Sequence, residues 1–172
     1  MKKSNPLKWI ILAIALAINV FIIVNACISG PTSAQESGNV STLIANIINA
    51  FAKDTINESN FEIFAFNVRK LVGHFAVFVF DGLFSSLALY LFLQDKKFGR
   101  WYWLTSFSLG FGLLIAMVSE LIQIFTPERY GTWGDIAIDF SGYILGFVII
   151  FSCLLFFGFI DIRKEANIAY LE

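Results

Sequence analysis

The chain has a single histidine, His74, which follows two cations, Arg69 and Lys70, in the stretch RKLVGHFAVFVFDG (69–82). Asp81 lies seven residues beyond the histidine in the same apolar run. Cations at this spacing could hold an anion such as phosphate, and a histidine could act as a general acid or base. Because ionisable side chains are costly inside an apolar segment, their presence here predicts a functional site or a set of compensating pairs.

The remainder of the chain is strongly apolar. Of its 172 residues, 58% are hydrophobic and 15% charged, and the mean hydropathy is +0.74. Soluble domains average about 45–50% apolar and about 25% charged residues, so this composition indicates a protein of the lipid bilayer. A net charge of −1 and the lack of any nucleic-acid motif argue against a nucleic-acid partner. The two cysteines, Cys27 and Cys153, form no CxxC motif or Cys/His cluster, so we expect no cofactor.

Four stretches are long enough to cross a bilayer, which takes about 20 apolar residues. They cover 7–28, 71–93, 101–125 and 136–160. The predicted fold class is therefore all-α, a polytopic transmembrane bundle of four spans with one short outer amphipathic helix. We divide the chain into a first span that serves as signal anchor (1–28), an extracytoplasmic loop with a surface helix (29–68), a three-span core (69–160) and a cytoplasmic tail (161–172).

The connection between the first two spans combines a loop and a helix. The Pro/Gly/Ser-rich stretch 29–39 is typical of a loop. In 40–54 the apolar residues recur at helical spacing, which predicts an amphipathic helix capped by Ser41 or Thr42 and lying flat on the membrane surface.

The distribution of lysine and arginine predicts the orientation. Three groups of cations fall on one side of a four-span protein, and the positive-inside rule makes that side cytoplasmic: Lys2, Lys3 and Lys8; Lys96, Lys97 and Arg100; Arg163 and Lys164. We therefore predict a multi-pass protein of the cell membrane with both termini in the cytoplasm. Cleavage of the first span is left open, because VNAC (24–27) loosely resembles a lipoprotein processing box that would leave Cys27 lipidated.

In this topology eight polar side chains from three spans and the last outer loop reach a similar depth at the outer face. We predict that they form a ligand-binding site, composed of Arg69, Lys70, His74, Glu120, Gln123, Arg129, Asp135 and Asp139. His74 and Glu120 are the candidate acid and base. No metal motif is spelled out and we predict no metal, although His74, Glu120 and Asp139 could compose a triad in space.

Structural explanations remain open for the same residues. The cations could snorkel to headgroups, and Asp135 could cap the fourth span. Asp81 lies about 10 Å deeper than His74, where burial disfavours its charged form, so we expect it to be protonated or paired. Gly142 and Gly146 form a GxxxG motif that we read as a site of close helix packing.

The motifs RKLVGHF (69–75) and SELIQIFTPERYGTWGDIAIDFSGYILG (119–146) resemble the VanZ-like family of small multi-pass bacterial membrane proteins. The family pattern has a basic pair before His-Phe, then Glu-x-x-Gln, a loop Arg, an Asp, and an Asn or Asp before Gly-x-x-x-Gly. This chain departs from it in having three residues rather than two between Lys70 and His74, and Asp139 where asparagine is usual. Phe78 stands where tyrosine is frequent, and Asp81 where an aliphatic residue is expected. The resemblance implies a membrane location and a role in the cell envelope, and the family's namesake is associated with teicoplanin resistance.

Three functions fit these observations. The first is an envelope protein whose outward-facing site binds a lipid-linked or anionic molecule, such as a lipid-linked cell-wall precursor or a glycopeptide. The second is a membrane-embedded enzyme that acts on an envelope lipid with His74 and Glu120 as acid and base. The third is a proton-coupled transporter or flippase that uses Asp81. The oligomeric state is left open.

Overall fold

A computed structural model describes residues 6–93 and 100–169, with side chains described for 6–93 and 101–157. All regular structure in these ranges is helical, which confirms the all-α fold class. The elements are α1 (Pro6–Ala26), α2 (Gly30–Phe51), α3 (Phe61–Val68), a π-helical segment (Arg69–Ala76), α4 (Val77–Leu93), α5 (Arg100–Phe125) and α6 (Trp133–Ala169). Because α3, the π-helical segment and α4 follow one another directly, they form one long helix.

Among the described residues, four helices are long and apolar enough to cross a membrane, as predicted. They cover Pro6–Ala26, Phe61–Leu93, Trp101–Phe125 and Trp133–Phe157. The second begins at Phe61 rather than at residue 71, because the apolar stretch FEIFAF (61–66) continues the helix towards its N-terminus. Arg69 and Lys70 therefore lie inside a helix and not at its start.

Most of the lysines and arginines that predict the orientation have side chains outside the described residues. The side chains concerned are those of Lys2, Lys3, Lys96, Lys97, Arg100, Arg163 and Lys164, together with those of the tail 161–172.

The prediction of a loop at 29–39 is wrong, because this stretch is the first half of α2 (Gly30–Phe51). Pro31 lies in the first turn of the helix, where its missing N–H leaves no hydrogen bond unmade. Ser41 and Thr42 are consequently not caps. They lie inside the helix, and their hydroxyls donate to carbonyl oxygens one turn earlier at 2.7 and 2.9 Å.

The predicted apolar stripe of α2 is only partly covered by the rest of the chain. Ser41 and Ala45 are buried, and the helix contacts α3 and the π-helical segment. Leu43, Ile47 and Phe51 are exposed, Phe51 to 91%. Its location flat on a membrane surface stays a prediction, which these exposed side chains would suit.

Glycines bring α6 into direct backbone contact with the long helix that the π-helical segment and α4 form. A Cβ at Gly142 would overlap the carbonyl of Phe75, one at Gly146 the carbonyl of Val79, and one at Gly82 the carbonyl of Tyr143. Glycine at these three positions lets the two backbones touch, so the interpretation of the GxxxG motif as a packing site agrees with the structure. Tyr143 is fully buried in the core that this contact creates, together with Ile22, Phe78 and Ala116.

We expect Gly146→Ala to destabilise the bundle by about 1–3 kcal/mol, because the added methyl must push α4 and α6 apart. Thermal unfolding in a mild detergent measures the effect. The matched control is Gly110→Ala in α5, where no atom would lie within 4 Å of the new Cβ. Equal stability of the two variants would contradict the backbone contact.

Candidate functional site

Two side-chain pairs join the π-helical segment to the first turns of α6. The Lys70 ammonium binds Asp135, and His74 Nδ1 lies 3.1 Å from Asp139 Oδ1. His74, Asp135 and Asp139 are all buried, with Asp139 only 1% exposed. Lys70 and His74 are four residues apart on one helix, and Asp135 and Asp139 are four residues apart on the other, so the two pairs lie one above the other between the helices.

A second group of contacts comes from the end of α5. Gln123 Nε2 donates to Glu120 Oε1 at 2.6 Å, and Arg129 Nε donates to Gln123 Oε1 at 3.2 Å. Glu120 is 2% exposed and Gln123 5% exposed. The amide of Gln123 therefore connects a buried carboxylate to the guanidinium of the following loop.

Thr132 connects these two groups, and sequence reasoning missed it. Its backbone N–H donates to Glu120 Oε2 at 2.9 Å, and its hydroxyl donates to Asp135 Oδ2 at 3.0 Å while accepting from the Asp135 amide at 3.0 Å. The spacing Thr-x-x-Asp before an apolar helix resembles a capping box, which is the signal that could have identified it. The predicted capping role of Asp135 is thus shared with Thr132.

A cavity of about 290 Å³ opens beside this cluster. Its polar wall includes His74, Gln123 and Asp139, with Arg69 and Arg129, and its apolar wall includes Phe21, Ile22, Val40, Val77 and Phe78. Ser33, Glu36 and Ser37 of α2 also line it. Sequence reasoning did not assign these residues to the site because it placed 29–39 in a loop.

The N-terminus of α2 is fastened to the loop that carries Arg129. Gly30 N–H donates to the Pro127 carbonyl at 3.0 Å, and a Cβ at Gly30 would overlap the Glu128 carbonyl. Glu128 adopts a positive φ of 57°, a backbone conformation that residues other than glycine seldom adopt. The loop therefore holds Arg129 beside the cavity at some cost in backbone strain.

Two cations of the cavity are not matched by carboxylates. Among the side chains that the structure describes, neither Arg69 nor Arg129 has a carboxylate oxygen within 4.0 Å. Burial lowers the pKa of Arg129 below its usual value, and the neighbouring positive charge of Arg69 lowers that pKa further. The carboxylate of Glu36, which also lines the cavity, is exposed to solvent.

Three of the clustered side chains are placed so that they could hold a metal ion. One ligand atom from each of His74, Glu120 and Asp139 lies within 4.8 Å of the other two. Imidazole with two carboxylates is a donor set that suits zinc and related divalent ions. Both oxygens of Glu120 already accept hydrogen bonds, but each retains a second lone pair that could bind the ion.

All eight residues predicted for the site thus lie in one connected region, and their role in binding or catalysis stays a prediction. Asp81 lies outside that region. It accepts hydrogen bonds from Asn19 of α1 and Ser85 of α4, at 2.8 and 2.6 Å. The sequence predicted that Asp81 is paired or protonated but did not identify Asn19 or Ser85 as its partners. Asn19, a polar residue within an apolar span, was a visible signal.

Four apolar helices around a buried polar cluster define a multi-pass membrane protein with an internal polar site. A family model described as VanZ/LLP1 matches residues 9–157, and the chain belongs to this family. No curated protein and no solved structure matches the chain.

We expect Glu120→Ala to reduce stability by at least about 2 kcal/mol. The reason is that the Thr132 N–H and Gln123 Nε2 would both lose their acceptor, at about 1–3 kcal/mol for each buried group. Glu120→Gln should cost less, since its side-chain carbonyl can still accept one hydrogen bond. Unfolding of the purified variants in detergent measures the difference, with the exposed Glu58→Ala as control. A Glu120→Ala protein as stable as that control would contradict the assigned hydrogen bonds.

Proposed function

We propose that the protein binds an anionic molecule of the bacterial cell envelope, such as a lipid-linked precursor that carries phosphate. The observation that carries this proposal is the presence of two arginines, Arg69 and Arg129, in one cavity. No carboxylate among the described residues pairs with either of them. Arginine binds phosphate and carboxylate through charge-assisted, often bidentate hydrogen bonds.

The charge balance of the site supports an anionic ligand. Lys70 and His74 are already engaged by Asp135 and Asp139. Two half-buried guanidinium groups that repel one another remain. Glu120 and Asp135 attract Arg129, but burial and the repulsion by Arg69 are the larger effects, so a bound anion would offset the remaining repulsion and the loss of hydration.

The shape of the cavity supports an amphiphilic ligand. Its volume of about 290 Å³ is near the lower end of small-molecule sites, which span about 300–1,000 Å³. The volume therefore fits a headgroup, while the apolar side chains of α1 and α2 that line the cavity could contact the start of an acyl or isoprenoid chain.

The location of the site is part of the proposal. We infer that the cavity faces the outside of the cell membrane, with both termini in the cytoplasm, because of the lysine and arginine distribution. A link to glycopeptide resistance of the teicoplanin type is proposed on the resemblance to the family's namesake, and it assigns no additional residue to the site.

A second candidate function, an enzyme that acts on an envelope lipid, is favoured by one arrangement. The His74–Asp139 pair lines the cavity, and a carboxylate that holds one imidazole nitrogen leaves the other available as an acid or base. If a metal ion were bound by His74, Glu120 and Asp139, it could polarise a phosphoryl oxygen. Glu120 is the other predicted acid or base, but both of its oxygens already accept hydrogen bonds.

We expect Arg69→Ala and Arg129→Ala each to weaken the binding of a short-chain phosphatidic acid about tenfold. A hydrogen bond to a charged group contributes about 1.5–3 kcal/mol, and 1.4 kcal/mol corresponds to a factor of ten. Calorimetric titration of the purified protein in a neutral detergent measures the change.

The control for this titration is Lys53→Ala, which removes an exposed cation outside the cavity and should leave the affinity unchanged. Diacylglycerol of the same chain length, which lacks the phosphate, should bind poorly. If the double arginine variant binds phosphatidic acid as the wild type does, the anion site is wrong. Recovery of a chemically altered lipid from the wild type would favour the enzyme.

Cysteine labelling tests the orientation. In a protein that lacks Cys27 and Cys153, single cysteines at Ala34 and Tyr130 should react with a membrane-impermeant maleimide in intact cells, because both positions are exposed and predicted outside. A cysteine at Lys97, in the predicted inner loop, should react only after the cells are permeabilised. The reverse pattern would refute the outward-facing site.

A further inference from the structure

A second polar cluster lies between α1 and α4 and is separate from the arginine-lined cavity. Asp81 is completely buried, and its Oδ1 accepts hydrogen bonds from Asn19 Nδ2 at 2.8 Å and from the Ser85 hydroxyl at 2.6 Å. Asn19 Nδ2 also donates to the Ala15 carbonyl at 2.9 Å. All donors to the carboxyl group are therefore neutral, and all of them bind the same oxygen.

One oxygen on each partner has no hydrogen bond to any described residue. Asp81 Oδ2 and Asn19 Oδ1 are both buried, and neither has a donor among the described residues. Buried polar atoms are nearly always hydrogen-bonded, so two such atoms on one interacting pair call for an explanation. Both atoms are acceptors, so neither can supply the hydrogen that the other lacks.

No cation of the described side chains compensates an ionised Asp81. The ion pairs of that part of the chain join Lys70 to Asp135 and His74 to Asp139. In α1 the ammonium of Lys8 lies over the rings of Trp9 and Phe92. Glu120 of α5 belongs to the first site, and the titratable group that α6 contributes near Asp81 is Tyr143, whose hydroxyl contacts Ser108 at 3.1 Å.

We propose that Asp81 and Asn19 form a proton-binding site in the interior of the helix bundle. A proton on Asp81 Oδ2 would be donated to Asn19 Oδ1, while Asn19 Nδ2 continues to donate to Asp81 Oδ1. The result is a neutral carboxylic acid–amide pair with two antiparallel hydrogen bonds. One proton thus provides a partner for both unsatisfied oxygens and removes a buried charge that only neutral donors face.

The site has a neighbouring space through which a proton carrier or a small apolar reagent could approach. Asn19 and Ser85 line a cavity of about 420 Å³ whose other walls are mostly apolar side chains of α1, α4 and α5. A protonatable group beside such a cavity is the chemistry that proton-coupled movement of a substrate requires. This inference does not depend on the anion site, because no residue is shared between the two.

Infrared difference spectroscopy on the full-length protein in lipid nanodiscs tests the proposal. At neutral pH the wild type should show the carbonyl-stretch band of a protonated carboxylic acid, and Asp81→Asn should lose that band. The asparagine can still donate to Asn19 Oδ1, so this variant keeps both hydrogen bonds and should fold. The control is Asp54→Asn, which replaces an exposed aspartate and should leave the acid band unchanged.

Loss of a carboxylate band in Asp81→Asn, with the acid band intact, would overturn the proposal. So would a carboxylate band of Asp81 that shifts with sodium concentration, since the site would then bind a metal cation. If the variant folds poorly, a second measurement that needs only the wild type still tests the proposal. A hydrophobic carbodiimide, which reacts with protonated carboxyl groups, should modify Asp81 at neutral pH, as detected by peptide mass spectrometry. Absence of the adduct from mildly acidic to mildly alkaline pH would refute the site.

Discussion

A direct backbone contact between α4 and α6 determines how these two helices are aligned, and the alignment determines which polar side chains can meet. Glycines on both helices remove the side chains that would hold them apart, so the relative height of the helices is fixed by carbonyl contacts. That height places Asp135 and Asp139 opposite Lys70 and His74. A shift of one residue between the helices would separate both pairs at once and leave buried charges without partners, which would be strongly destabilising.

The buried charges impose a second constraint, which explains why α5 and its following loop belong to the site. Glu120 lies in the same buried region as two other carboxylates, and it is held by neutral donors, the Gln123 amide and the Thr132 N–H. Arg129 is hydrogen-bonded to Glu120 only indirectly, through Gln123, although the two opposite charges attract one another. The cation is thereby left facing the cavity beside Arg69, where α2 completes the wall. Lys70 and His74 are paired with carboxylates of the protein, whereas Arg69 and Arg129 are not. A bound anion would supply the missing negative charge, which is the basis of the anion proposal.

Sequence reasoning succeeded where a single residue pattern carries the information. The four spans follow from apolar length. The proximity of eight polar side chains follows from the alternating direction of the helices, while their role in binding stays a prediction. Sequence reasoning failed where a side chain contacts a residue that is distant in the sequence. The pairing of Asn19 with Asp81 and the hydrogen bond from Thr132 to Glu120 cannot be read from local spacing, because each depends on how separate segments of the chain face one another. The first half of α2 was missed because Pro31 and the neighbouring small residues were read as signs of a loop rather than as the start of a helix.

The π-helical segment accounts for a departure that the sequence showed but could not interpret. Three residues separate Lys70 from His74, where the VanZ-like pattern has two, and this is where the helix changes to i→i+5 hydrogen bonding. A π-helical turn accommodates an additional residue, so both side chains can face α6, whose acceptors Asp135 and Asp139 keep ordinary α-helical spacing. Gly73 lies within the segment, and a Cβ there would meet only the Arg69 side chain at 3.9 Å. Packing therefore does not require this glycine, whereas its low helix propensity reduces the cost of leaving α-helical geometry. The extra residue is accommodated within the π-helical segment, which lets Lys70 and His74 both contact α6.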